Sequence, residues 1–112
     1  MAYQNITGAK LAQYSTAAGL SAKVYTSPAD TRTYVKDIDI CNTTATSATA
    51  SVYLVGNSAT AGTTNALLYN VTIPAYSNMQ WTGAQIINSG DFVQVQASIS
   101  GVVFNITGGL AT

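Results

Sequence analysis

Residues 32 to 55, RTYVKDIDICNTTATSATASVYLV, decide how this chain folds, because two alternating runs flank a polar connection. In the first run, Ile38 and Ile40 alternate with Asp37 and Asp39. A period of two with apolar and charged residues is typical of a β-strand that has one buried face and one solvated face. The stretch therefore predicts a β-strand with the two isoleucines in the core.

The second run has the same period and predicts a partner strand. Val52 and Leu54 alternate with Ser51 and Tyr53. Between the runs, residues 42–47 are short polar residues whose side chains can hydrogen-bond their own backbone and so support a tight reversal. Two adjacent strands with such a connection predict a β-hairpin.

The rest of the chain repeats this pattern of short strands and turns, and no segment has a helical period. A second hairpin is expected over residues 92–107, with its turn at residues 98–101. Regular turn spacing at this length is typical of an all-β antiparallel β-sandwich, of the jelly-roll or immunoglobulin-like kind. We expect about seven or eight short strands. Outside residues 32–55 they fall at residues 11–14, 23–26, 66–73, 79–82, 92–97 and 102–107.

The chain length fits one domain, with a boundary expected near residue 22. A chain of 112 residues buries roughly 65% of the surface that its unfolded form exposes. Residues 23–112 are expected to form the sandwich, and residues 1–22 an N-terminal arm with one short strand around residues 11–14. The single Cys41 excludes an intramolecular disulfide, and residues 1–4 lack the features of a signal peptide. We therefore expect assembly in the cytoplasm.

Charge is unusually sparse. Only 7% of the residues are charged, against about 25% in an average domain, and the four basic and four acidic residues cancel. A surface with so little charge is poorly protected against self-association. The composition fits either a simple Thr/Ser/Ala-rich β protein or a protein whose surface is covered in an assembly. Nucleic acid and membrane are not expected partners, because there is no basic excess and no apolar run of about 20 residues.

The arm carries the candidate interface residues. They are apolar or aromatic side chains without a firm strand or helix period: Tyr3, Ile6, Leu11, Tyr14 and Leu20. A free monomer would leave some of them exposed, which predicts contact with a neighbouring copy or with an underlying shell. The alternative is that residues 11–14 form the first strand of the sandwich.

The residues for catalysis are missing. The chain has no His and no Glu, so a Ser or Cys nucleophile would lack its usual base. Asp37 and Asp39 share one strand face and could form half of a calcium site, but they are better explained as solvated charges that keep the sheet soluble. Cys41 is expected to be a small buried residue. We predict no catalytic, cofactor-binding or metal-binding residue, and no cofactor.

Three segments carry a resemblance to a known group of proteins. They are VYTSPADTRTYV at residues 24–35, IDICN at residues 38–42 and SGDFVQV at residues 89–95. These segments resemble the small all-β virion structural proteins of tailed bacteriophages. The resemblance implies a virion location and a non-enzymatic role, either as a capsid decoration or cement protein on the outside of the head, or as a tail, head-tail or baseplate component.

The same resemblance implies the partners. These are further copies of the chain, with a homotrimer preferred because decoration proteins often occupy three-fold positions, and the major capsid protein or another virion protein. A carbohydrate-binding β-sandwich module is the alternative from another class. It is favoured by seven tyrosines and Trp81, since amphipathic aromatic side chains suit both protein interfaces and sugar-binding grooves.

Overall fold

The computed structural model describes residues 6–17 and 21–112. Within these ranges, the chain forms eight β-strands and one short 3-10 turn at Thr63–Asn65. The strands are β1 (Ile6–Ser15), β2 (Ser21–Thr26), β3 (Arg32–Asn42), β4 (Ala48–Val55), β5 (Ala66–Ile73), β6 (Asn78–Ile87), β7 (Phe92–Ala97) and β8 (Val102–Ala111).

The strands form two four-stranded antiparallel sheets that share one core. The first sheet has the order β1-β8-β3-β6, and the second has the order β2-β7-β4-β5. The pairs are nested, because β1 pairs with β8, β2 with β7, β3 with β6 and β4 with β5. The chain is thus one long folded ribbon whose tip is residues 56–65. The all-β sandwich prediction is confirmed, and this strand order is that of a jelly roll.

Both predicted hairpins are wrong. β3 lies in the first sheet and β4 in the second, and the same holds for β8 and β7. Alternation along a strand specifies which face is buried, but it does not specify the neighbour. Two such strands can pair side by side in one sheet, or they can lie in two sheets that face each other across the core. Residues 43–47 and 98–101 are therefore arches between sheets.

Asn42 holds the arch between β3 and β4. Its side chain is fully buried. The amide nitrogen donates to the carbonyl oxygens of Thr46 at 2.8 Å, Ile73 at 3.1 Å and Pro74 at 3.3 Å. The amide oxygen accepts from the Thr44 backbone nitrogen at 3.0 Å and from its hydroxyl at 2.7 Å. One side chain thus satisfies backbone groups of both the arch and the β5 end, which buried polar groups require.

The hydrophobic core confirms the predicted inward faces. Ile38, Ile40, Val52, Val93 and Val95 are completely buried, and Leu54 is half-buried against them. Complete burial of such side chains contributes about 1.5–3 kcal/mol each. The sandwich is therefore held mainly by the apolar faces that the alternation identified.

β3 changes phase at a bulge. Val35 and Ile38 both face the core although they are an odd number of residues apart, because the register shifts between Val35 and Asp37. The neighbouring strand adapts through Gly108, where an added Cβ would overlap the carbonyl oxygen of Tyr34. Only glycine lets β8 approach the bulged backbone this closely.

A second, smaller apolar cluster lies on the outer face of the second sheet. It contains Tyr53, Val55 and Phe92, with Ala61 and Ala66 packed against it. In the connection at residues 56–65, Ala61 packs back onto this cluster. Lys23 places its ammonium 4.1 Å from the centre of the Phe92 ring, a cation–π contact.

One end of the sandwich, the arch end, is closed by uncharged groups. It comprises residues 16–17, 43–47, 74–77 and 98–101. Backbone bonds join its connections, from Tyr76 nitrogen to Thr44 oxygen at 3.1 Å and from Gly101 nitrogen to Thr16 oxygen at 3.2 Å. The Thr16 hydroxyl also donates to the Ile99 carbonyl at 2.9 Å.

The opposite end is closed by Asp91. Its carboxylate accepts from the backbone nitrogens of Asn57 and Asn88, each at 3.0 Å, and its carbonyl accepts from Ser27 nitrogen at 2.8 Å. Beneath it, the buried Thr33 hydroxyl bonds the hydroxyl of Ser27 at 2.8 Å. Through its carboxylate and its backbone carbonyl, Asp91 therefore ties three connections together, at residues 27–31, 56–65 and 88–91.

Candidate functional site

The first 22 residues contain a longer strand than expected. β1 covers Ile6–Ser15, lies at the edge of the first sheet and pairs with β8. Leu11 and Tyr14 are half-buried and pack against the core. Ile6 is 62% exposed, whereas Tyr3 and Leu20 lie outside the described residues. The domain boundary at residue 22 and the role of these five residues in docking remain predictions.

The outer face of the first sheet carries an exposed apolar patch, which we call the first-sheet patch. It consists of the exposed Ile6 and Ile86, the half-buried Tyr34, and the buried Gly109 that lies under Ile6. Tyr34 pairs with Gly109 on one side and with the 56% exposed Ile86 on the other. Ile6 lies over Gly109, with its Cγ2 atom 3.4 Å from where a Cβ would be. Contiguous apolar side chains of this kind are typical of a contact surface.

Beside the patch, the same face is polar and carries both signs of charge. Gln80 donates to the Asp37 carboxylate at 3.1 and 3.2 Å, and Asn78 donates to Asp39 at 3.1 Å. Lys10 lies on the edge strand of this face and donates to Gln13 at 3.4 Å. The two carboxylates are thus held by amides of the neighbouring strand, as expected for solvated charges.

The outer face of the second sheet carries a groove of about 300 Å³ that is open on one side. Its walls come from β4, β5 and the end of β7. The polar and aromatic side chains that line it are Thr49, Ser51, Tyr53, Tyr69, Asn70 and Gln96. Ser98 closes one end, where its hydroxyl accepts from the Thr49 backbone nitrogen at 3.0 Å.

A bulge in β5 shapes this groove. The register of β5 against β4 shifts between Ala50 and Val52, so that Tyr69 and Asn70 together oppose Ser51. Asn70 has a φ of 49°, in the left-handed region, and its backbone nitrogen donates to the Ser51 hydroxyl at 2.9 Å. Ser51 is 3% exposed, so the acceptor of the bond that fixes the bulge is buried.

No arrangement for catalysis is found among the described residues. They contain no group of three or more His, Cys, Asp or Glu that could hold a metal ion. Cys41 was expected to be buried, but it is half-buried and lies on the outer face of the first sheet, opposite Val103. In the same residues, no helix is long and apolar enough to cross a membrane.

Sequence reasoning missed both surfaces. The first-sheet patch combines residues from four strands, and the groove combines residues from three, so neither is visible in a linear pattern. One local signal was available for the groove. Asn70 interrupts the strand pattern of residues 66–73, and asparagine tolerates the left-handed conformation that a bulge requires.

Comparison with known proteins identifies a fold likeness. No protein-family model and no curated protein matches the chain. A chain in the structure of infectious bursal disease virus, Gx strain, matches 96% of this chain with 15% identity and a TM-score of 0.53. A chain in the crystal structure of the T13 particle of that virus matches 96% with 13% identity and a TM-score of 0.54.

The match covers only part of those larger chains, 31% of the Gx chain and 30% of the T13 chain. This chain thus spans about a third of the length of the chains that it resembles. At this level of identity the likeness concerns the fold.

Proposed function

We propose that this chain is a non-enzymatic virion structural protein, and more specifically a decoration or cement protein on the outside of a tailed-phage head. The observation that carries the proposal is the jelly-roll topology, which is similar to that of chains in structures of infectious bursal disease virus. The resemblance of residues 24–35, 38–42 and 89–95 to phage virion proteins supports the same role.

The surface supports a role in assembly. The net charge is zero, so copies of the chain do not repel one another strongly. The first-sheet patch offers apolar area, and the face beside it presents Lys10 together with Asp37 and Asp39. Because this face carries both signs of charge, it can contact the surface of another copy without net repulsion, and we assign it to contact between copies in a homo-oligomer, with a trimer preferred.

Docking to the shell is assigned to the N-terminal arm, residues 1–22, apart from Leu11 and Tyr14, which pack against the core of this chain. Each buried apolar side chain contributes at best about 1.5–3 kcal/mol before the cost of ordering is subtracted. One copy would therefore bind weakly, but the linked copies of an oligomer raise the effective concentration at neighbouring sites. The major capsid protein is the proposed partner of this arm.

Fractionation of particles tests the proposal. Phage particles from the source culture are separated into heads and tails, and an antibody against this chain is applied to each fraction. A decoration protein is expected in intact heads, accessible to the antibody and present in a fixed number of copies. Detection only in tails would replace it with the tail, head-tail or baseplate alternative, and absence from particles would refute the virion role.

Add-back separates a cement role from mere attachment. Heads stripped of this chain should lose heat stability, and purified protein should restore it. Ile6→Ser combined with Ile86→Ser should reduce the oligomer measured by analytical ultracentrifugation, while the exposed Tyr76→Ala control should not. The contact between copies would be overturned if the wild-type protein were monomeric in solution and also bound to stripped heads as separate monomers.

A further inference from the structure

The groove on the second sheet exists because the β5 bulge brings two neighbouring side chains to the same face. In a regular strand, neighbouring side chains point to opposite faces, so Tyr69 and Asn70 could not both line one groove. The β5 bulge changes this, and both residues lie in the lining. The side chain of Tyr69 is 53% exposed there, so its ring is available to a ligand.

Hydrogen bonds fix the bulge in place. Asn70 has a φ of 49°, a left-handed conformation that asparagine tolerates better than most residues other than glycine. Here the buried Ser51 hydroxyl accepts from the Asn70 nitrogen at 2.9 Å and lies 3.4 Å from its side-chain oxygen. A buried hydroxyl thus holds the bulge at the wall of the groove.

The chemistry of the lining selects the ligand class. Hydroxyl groups, amides and two tyrosine rings line the groove, and no charged side chain is among the described residues that do so. An ionised ligand would lose its hydration without an opposite charge to replace it. A wholly apolar ligand would displace water from polar groups of the lining, such as the Thr49 hydroxyl and the Asn70 amide nitrogen, and would offer no hydrogen bond in return. A ligand rich in hydroxyl groups, with one apolar face for a tyrosine ring, satisfies both conditions.

We propose that this groove binds a neutral saccharide, with Tyr69 stacking on the sugar ring and Asn70 and Gln96 bonding its hydroxyl groups. A volume of about 300 Å³ fits one or two sugar rings, with the rest of a longer glycan extending through the open side. The proposal goes beyond the virion role and does not depend on it, since a decoration protein without a saccharide site would assemble equally well.

The first experiment is a binding screen. The full chain is applied to an array of neutral glycans ending in glucose, galactose, mannose, N-acetylglucosamine or N-acetylgalactosamine, with sialylated and sulfated glycans on the same array. Binding to a neutral glycan is expected. Its strongest hit is then titrated by NMR, and saturable shifts are expected at the backbone amides of Ser51, Tyr69, Asn70 and Gln96.

Two variants locate the site. Tyr69→Ala should weaken binding at least tenfold by removing the stacking ring. Asn70→Gly should also weaken it about tenfold, because glycine accepts the positive φ and keeps the bulge while the amide is lost. Tyr76→Ala is the matched control, since it removes another exposed tyrosine, at the arch end, and it should bind like the wild type.

The outcomes that overturn the proposal are equally specific. They are the absence of saturable binding by any neutral glycan, preference for anionic glycans, shifts that map away from the groove, and an affinity that Tyr69→Ala leaves unchanged. If Tyr69→Ala fails to fold, Asn70→Gly decides alone. None of these results changes the outcome of particle fractionation. The saccharide site can therefore be refuted while the virion role stands, and the reverse also holds.

Discussion

The two ends of the sandwich are closed by different chemistry. At the arch end, the neutral and fully buried Asn42 makes five hydrogen-bond contacts. At the opposite end, the partly exposed Asp91 carboxylate accepts two bonds from loop nitrogens. Water can replace a lost bond at the exposed site but not at the buried one. We therefore expect substitutions to destabilise the uncharged arch end more than the end closed by Asp91.

The largest effect is expected at Asn42. Asn42→Ala removes all of its contacts and leaves buried carbonyl groups without a donor, which should lower the free energy of unfolding by about 3–4 kcal/mol. For a domain of this size, that corresponds to a fall in Tm of roughly 12–25 °C. Calorimetry of the variant measures both quantities. Asn88→Ala, an exposed asparagine at the opposite end, is the control, and an equal loss in both variants would contradict the comparison.

The bulge of β3 is expected to give the second largest effect. Gly108→Ala places a methyl group against the Tyr34 carbonyl oxygen, so the bulged backbone must shift. We expect a loss of about 2–3 kcal/mol, typical of overpacking in a closely packed interior. Gly56→Ala is the matched control because an added Cβ there meets nothing within 4 Å. Urea unfolding of the two variants tests this, and similar midpoints would show that β3 and β8 adjust freely.

Asp91 should have a smaller effect. Asp91→Asn keeps the size of the side chain but replaces one acceptor oxygen with a donor, so one of the two loop bonds is lost. The expected cost is about 1 kcal/mol, because the group is partly exposed. Hydrogen exchange at the Asn57 and Asn88 amides should accelerate while the arch end keeps its protection. The control is Asp30→Asn. Asp30 is an exposed aspartate with a φ of 54°, and its substitution should leave hydrogen exchange at the two amides unchanged.

The smallest expected effect is a gain in stability. Tyr76 is 74% exposed with a φ of 55°, a conformation that asparagine adopts more readily than tyrosine. Tyr76→Asn is therefore expected to stabilise the arch end by about 0.5 kcal/mol and to raise Tm by roughly 2–4 °C. A thermal melt measures the change. A lower Tm would mean that the tyrosine ring contributes more through packing than its conformation costs.

Strand positions and buried faces could be read from the sequence because both depend on local alternation. The limits of β5 at residues 66–73 and of β7 at residues 92–97 agree with the structure, and so does the inward face of Ile38 and Ile40. The bulge of β3 is also visible in the sequence, because Val35 and Ile38 are both apolar although strict alternation would place them on opposite faces.

The arrangement of strands could not be read in the same way, because it depends on pairings between distant segments. The run at residues 32–55 has the same appearance whether its two strands lie side by side or face each other across the core. Asn42 decides between these through its bonds to Ile73 and Pro74, which lie more than thirty residues further along. The groove depends on β4, β5 and β7 in the same way.

The nested pairing also governs how fast the chain can reach its native state. β1 binds to β8, so the first strand finds its partner only when nearly the whole chain is available. Closing such long loops costs entropy before any contact repays it, and folds with high contact order reach the native state slowly. On the ribosome, β1, β2 and β3 must wait with their apolar faces uncovered until β6, β7 and β8 emerge. A nearly uncharged chain in that state is prone to aggregation, and synthesis at lower temperature or with chaperones should raise its soluble yield.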